Sequence, residues 1–180
     1  MSEKKNIRKI ILSALFLAIG MVLPMLTGQI KEIGDTLLPM HIPVMLCGLL
    51  CGWQYGLTVG FVLPFLRSVI FSMPPFFPNA VWMALELATY GFVIGFLYTK
   101  SKKKNTFNLY LSLLTAMISG RLVWGIAKVI LLGAGDSGFT FTAFITGGFL
   151  DAIPGIILQL ILIPLIIKTV DKINFNNDCS

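Results

Sequence analysis

Long apolar runs limit what this chain can become. They cover residues 10–26, 36–52, 56–71, 80–98, 109–132 and 143–167, and short polar stretches separate them. A helix rises about 1.5 Å per residue, so roughly 20 apolar residues cross the ~30 Å hydrocarbon core of a bilayer. The 180 residues are 56% hydrophobic and 12% charged. A domain of this size has too little interior to hide so much apolar surface from water. The sequence therefore predicts an all-α integral membrane protein, one polytopic domain over 1–180 with six transmembrane helices.

Two of these spans come from splitting one apolar block. Gly52-Trp53-Gln54-Tyr55-Gly56 interrupts it with turn residues and interfacial aromatics. The pieces, 36–52 and 56–71, are each near the minimum for crossing. One long tilted or re-entrant helix is the alternative. The first run follows Lys4, Lys5, Arg8 and Lys9 but exceeds the usual signal-peptide core and has no clear A-x-A site. It reads as a retained span.

Charge gives the orientation. Lys4, Lys5, Arg8, Lys9, Lys100, Lys102, Lys103, Lys104, Lys168 and Lys172 fall on one side of a six-span topology, and Lys31 alone falls on the other. Cytoplasmic loops carry such an excess, so both termini are expected in the cytoplasm of a multi-pass cell-membrane protein. The net charge of +6 reflects this topology and contact with anionic lipid. No folded basic surface for nucleic acid remains. The loops at Thr27–Leu38, Ser72–Asn79 and Gly133–Thr142 then face outward.

Five charges lie inside the spans: Arg67, Glu86, Arg121, Lys128 and Asp151. Charge at membrane depth is costly and marks a ligand, an ion path or a buried pair. Arg67 precedes, and Glu86 follows, the proline-rich loop Ser72-Met73-Pro74-Pro75-Phe76-Phe77-Pro78-Asn79, whose prolines oppose helix. Helical rise puts Arg67, Glu86 and Lys128 about 8–10 Å below the outer loops, Asp151 about 14 Å and Arg121 about 18 Å. All five lie in the outer half or near the midplane, which suggests a polar cavity open outward and closed below. Asn79, Trp82 and Glu86 share one helical face, as do Arg121, Trp124 and Lys128. An aromatic beside hydrogen-bonding charge holds small planar or polar ligands. The candidate substrate site is thus Arg67, Asn79, Trp82, Glu86, Arg121, Trp124, Lys128 and Asp151. The competing reading makes Glu86 and Asp151 structural partners of two cations.

Other features carry less. His41, at the outer start of the second span, fits a ligand contact, a proton gate or an interfacial residue without function. Cys47 and Cys51 lie four apart among apolar residues without nearby ligands and read as small filler. Gly133-Ala134-Gly135-Asp136-Ser137-Gly138 lacks the Lys-Ser/Thr of a phosphate loop. No span carries a metal cluster or nucleophile motif, so no cofactor, metal or enzymatic activity is expected. Any uptake must draw on an ion gradient or a separate ATPase.

Ala14-x-x-x-Ala18 in the uncharged first span, with Leu38-Pro-Met-His-Ile-Pro-Val-Met-Leu-Cys-Gly-Leu-Leu-Cys-Gly-Trp-Gln-Tyr-Gly56 running on through Arg67 and Pro74-Pro75 to Glu86-Leu-Ala-Thr-Tyr-Gly91, resembles the substrate-binding (S) component of energy-coupling factor (ECF) vitamin transporters. The resemblance covers about residues 8–170. It implies an S-component bundle that binds a vitamin at its outward end, beneath the loop after the first span. It also implies that Ala14 and Ala18 face a transmembrane T component driven by two cytoplasmic ATPases, and that the subunit topples to release its ligand inside. The segment after the first loop reads unlike the riboflavin members, leaving pyridoxine-like compounds and pantothenate. A self-sufficient ion-coupled carrier is the alternative.

Overall fold

The computed structural model describes residues 2–26, 37–101, 105–133 and 140–178. These are helical almost throughout, with no strand among them. In chain order the helices are α1 (Ser2–Leu26), α2 (His41–Cys51), α3 (Trp53–Phe71), α4 (Val81–Lys100), α5 (Thr106–Leu132), α6 (Phe141–Ile145) and α7 (Ile153–Asp178). The loop expected at Thr27–Leu38, with Lys31, and the Gly133–Thr142 loop lie mostly outside the described residues. So do Lys102, Lys103 and Lys104.

Five helical segments are long and apolar enough to cross a membrane: Asn6–Met25, Trp53–Phe71, Phe76–Lys100, Thr106–Leu132 and Ile153–Val170. The expected second span, 36–52, is helical as α2 over 11 residues, only ~16 Å of rise. It is nevertheless buried along nearly its whole length. Gly52, at φ 107° and ψ 167°, separates α2 from α3, a backbone conformation that glycine adopts without a Cβ penalty.

The expected sixth span, 143–167, is interrupted. A wide turn over Thr146–Leu150 closes with the Asp151 amide donating to the Thr146 carbonyl at 2.9 Å, and α7 starts only at Ile153. Gly147 and Gly148 have low helix propensity, and Pro154 is favoured in the first turn of a helix. The proline-rich loop is also more helical than its prolines suggest. Ser72 ends α3 in the left-handed region at φ 56°. A wide turn then forms over Phe76–Ala80, with the Ala80 amide donating to the Pro75 carbonyl at 3.1 Å. Phe77 alone inside it is extended.

α4 is the hub, packing on α3, α5 and α2, while α1 packs on α2 and α3 and α7 closes against α2 and α5. Val44, Met45, Leu63, Leu87, Ile94, Leu113 and Ile163 are fully enclosed in the core. Close backbone approach holds α2, α3 and α4 together. A Cβ on Gly48 would come within 2.5 Å of the Gly91 carbonyl oxygen, and one on Gly56 within 2.7 Å of the same atom. Cβ atoms on Gly91 and Gly60 would collide with the Gly56 and Leu87 carbonyls. Small residues four apart allow such contact between membrane helices.

Either Gly91→Ala or Gly60→Ala should destabilise the bundle by about 1–3 kcal/mol, the usual penalty of overpacking. Gly147→Ala, whose nearest new neighbour would be the Trp124 ring at 3.5 Å, should be tolerated. Thermal unfolding of detergent-solubilised variants checks this; an unchanged melting temperature for Gly91→Ala contradicts the packing.

Candidate functional site

Glu86 lies on the second turn of α4, where its helical face points at the junction with α2 and α5. It is 2% exposed, as are His41 on α2 and, at 4%, Arg121 on α5. One carboxylate oxygen joins the three helices. Arg121 Nη1 donates to Glu86 Oε1 at 2.8 Å, and His41 Nε2 reaches the same oxygen at 3.4 Å. Tyr90, one turn below Glu86 on α4, sets its ring edge-on to the imidazole at a centroid distance of 4.9 Å and 74°. Removing charges from water is expensive, and only close pairing with further hydrogen bonds offsets the loss. Here the pairing is close but unfinished. Arg121 Nη2 and His41 Nδ1 are buried without a hydrogen-bond partner.

Toward the Ser72–Asn79 end of the bundle the cluster turns aromatic. The Arg121 guanidinium carbon lies 5.8 Å from the Trp124 ring centre, one turn along α5. Lys128 Nζ lies 4.2 Å from the Trp124 ring and 4.9 Å from the Trp82 ring. Aromatic faces attract cations through their quadrupole, more strongly where water is excluded. Phe144 of α6 packs against Trp124 at 6.2 Å between centroids. Gly147 and Gly148 face the same indole, with ideal Cβ positions 3.5 and 3.4 Å away. The interruption before α7 thus sets flat backbone beside the tryptophan.

Of the residues singled out in the sequence, contacts bring Trp82, Glu86, Arg121, Trp124 and Lys128 into one connected cluster. Asn79 is half-buried in the turn that enters α4. Arg67 is buried elsewhere. Its Nη1 donates to the Met21 carbonyl of α1 at 2.7 Å, and its guanidinium packs over Phe71 at 5.5 Å. Pro24 removes the amide that the Gly20 carbonyl would take, and Arg67 caps the carbonyl beside it. Asp151 is exposed and has no ion pair among the described residues. The picture of five charges around one pocket therefore narrows to three. His41 and Tyr90 are the members that sequence reasoning did not place in the cluster. The i, i+4 spacing of Glu86 and Tyr90 was a usable signal. Nothing local tied His41 to Glu86.

The arrangement can bind and orient a ligand. Among the described residues no three His, Cys, Asp or Glu side chains could hold a metal ion. The Cys47 thiol instead donates to the Ser13 hydroxyl of α1 at 3.6 Å. A cavity of about 400 Å³ on the outer side of α5 and α6 is walled by Leu122, Ile126, Val129, Ile130 and Phe141, with none of the buried charges.

An apolar multi-helix bundle with five segments able to cross a bilayer marks a multi-pass membrane protein. The sequence profile of the family described as ECF transporter, substrate-specific component, matches residues 8–167. The chain belongs to that family and is a membrane-embedded substrate-binding subunit of an ECF transporter, a transport component and not an enzyme. No curated protein and no solved structure matches it.

Arg121→Ala should destabilise the protein by about 3–5 kcal/mol, because it strands the Glu86 carboxylate in the core. Exchanging both partners in Glu86→Gln/Arg121→Gln removes the charges together and should cost clearly less. Melting temperatures in detergent decide it; a double variant no more stable than Arg121→Ala would mean that the pair's charges are not coupled.

Proposed function

We propose that this subunit captures a small water-soluble vitamin, pantothenate-like or pyridoxine-like in preference to riboflavin, at the outward end of the bundle. The observation that carries this reading is the Glu86–Arg121 pair buried beneath Trp82 and Trp124. It combines a fixed ionic floor with aromatic walls, the combination that holds a small polar ring or chain. Asn79 at the mouth of α4 adds a hydrogen-bonding group, and Lys128 a second positive charge. Arg67 belongs to the proposed site only through its depth in α3, and Asp151 only through its place before α7.

Uptake on this reading depends on a separate T component and two cytoplasmic ATPases, and the bundle crosses the cell membrane six times with both termini inside. α1 supports the partner assignment. Its apolar window is the least enclosed of the candidate spans, 22% buried. Ala14 and Ala18 are exposed on it beside Ile7, Ile11, Leu15 and Val22. A neighbouring helix can approach closely over two alanines four residues apart.

Native mass spectrometry of gently purified protein should find one small polar compound bound. Trp124→Ala should weaken its binding on the order of 10–100-fold, or ~1.4–2.8 kcal/mol; unchanged affinity removes the tryptophan from the site. Ala14→Leu/Ala18→Leu should leave affinity within about a factor of two, far below the tenfold step of ~1.4 kcal/mol, yet abolish ATP-driven uptake in proteoliposomes holding the whole transporter. Gradient-driven uptake by the isolated subunit would overturn the division of labour.

A further inference from the structure

The unfinished hydrogen bonding around Glu86 limits what the ligand can be. Arg121 presents five N–H donors in a planar fork, and its Nη1 serves Glu86. Its Nη2 has no partner although the residue is 96% enclosed, being 4% exposed. His41 mirrors it: Nε2 meets the same carboxylate oxygen, and Nδ1 is buried without a partner. A carboxylate has no proton to give, so Nε2 carries the hydrogen in the neutral ring and Nδ1 presents a lone pair. The two unused atoms belong to the two side chains that meet one carboxylate oxygen. One is a charged donor and the other an acceptor.

Buried polar atoms left unpaired are rare in folded proteins and call for an explanation. Gln159 Nε2 is a third such atom among the described residues, but it belongs to α7 and makes no hydrogen bond to Glu86. We propose that the Arg121 and His41 atoms form an oxyanion subsite, in which Arg121 Nη2 donates to a carboxylate or phosphate oxygen of the ligand and His41 Nδ1 accepts from a hydroxyl or N–H next to it. The formal charges of Arg121, Lys128 and Glu86 sum to one positive, which a singly charged oxyanion balances. The rest of the ligand then lies along Trp124, whose ring already borders both cations. This rests on the vitamin-binding reading and deepens it by fixing the class of ligand: an oxyanion-bearing solute with an adjacent hydrogen-bond donor.

Matched probes test it. Pantothenate is compared with pantothenol, nicotinate with nicotinamide, and pyridoxine 5′-phosphate with pyridoxine, by tryptophan fluorescence and calorimetry on the intact subunit in detergent. The ionised member of a pair should bind about 100-fold or more tighter, because a site built to pair with a group rejects the analogue lacking it. Which pair responds distinguishes carboxylate from phosphate. Glu86→Gln/Arg121→Gln, verified as monodisperse, should collapse that preference to less than about tenfold. A neutral member that binds as tightly as its ionised partner overturns the inference, as does a preference that survives in the double variant. If no probe binds but a neutral or cationic compound co-purifies, the subsite is wrong while the binding-subunit reading stands. If no compound binds or co-purifies at all, both readings fall.

Discussion

A single carboxylate oxygen holds this bundle to its purpose. Glu86 Oε1 accepts from Arg121 on α5 and meets His41 on α2, so three helices converge on one buried negative charge. Packing alone cannot specify such a point in a membrane, where lipid tails are as apolar as leucine and no hydrophobic force sorts one apolar face from another. An ionic contact does sort them, since a mispaired helix would leave a charge unpartnered at membrane depth. Shifting α5 by one turn along α4 would move Arg121 about 5.4 Å away from Glu86.

The glycines make that contact reachable. Gly48, Gly56 and Gly91 bring the backbones of α2, α3 and α4 into direct contact. His41, seven residues before Gly48 and so on the same face of α2, is thereby carried in toward α4. Gly120, directly before Arg121, faces the Tyr90 ring, where a Cβ would lie 2.7 Å away. The same lack of side chains that lets helices touch also lets long polar side chains cross between them. Packing and site are therefore one problem solved by one set of positions.

This explains which parts of the chain were legible in advance. Helical character and burial in a membrane follow from run length and composition, and these are local properties. Glu86, Arg121, Trp82 and Trp124 stood out because each breaks an apolar face at helical spacing. Depth along a helix does not fix the direction in which a side chain points. Arg67 lies at a depth similar to Glu86, yet its guanidinium turns to the Met21 carbonyl of α1. Asp151 was placed by counting along an unbroken helix, and the wide turn at Thr146–Leu150 invalidates that count. His41 was ambiguous because its partner lies 45 residues away, and no spacing rule reaches across helices. The shortness of α2 was hidden because its flanking apolar residues extend the run without extending the helix.

The buried ionic cluster and the least enclosed helix are different parts of the bundle. The connected polar cluster draws on α4 and α5, with His41 from α2, whereas α1 is the least enclosed of the candidate spans. α1 rests on α2 and α3, so the indoles of Trp82 and Trp124 can be exchanged without altering its outer surface. Two side-chain hydrogen bonds join α1 to its neighbours among the described residues. Arg67 ties α3 to α1 through the Met21 carbonyl, and Cys47 ties α2 to α1 through the Ser13 hydroxyl. α2 carries both His41 and Cys47, six residues apart, and is enclosed along its length. Any displacement of His41 must therefore be taken up by α2 as a body, because a close-packed helix has no room to deform locally. The short helix thus meets the buried ionic cluster at one end and α1 along its side.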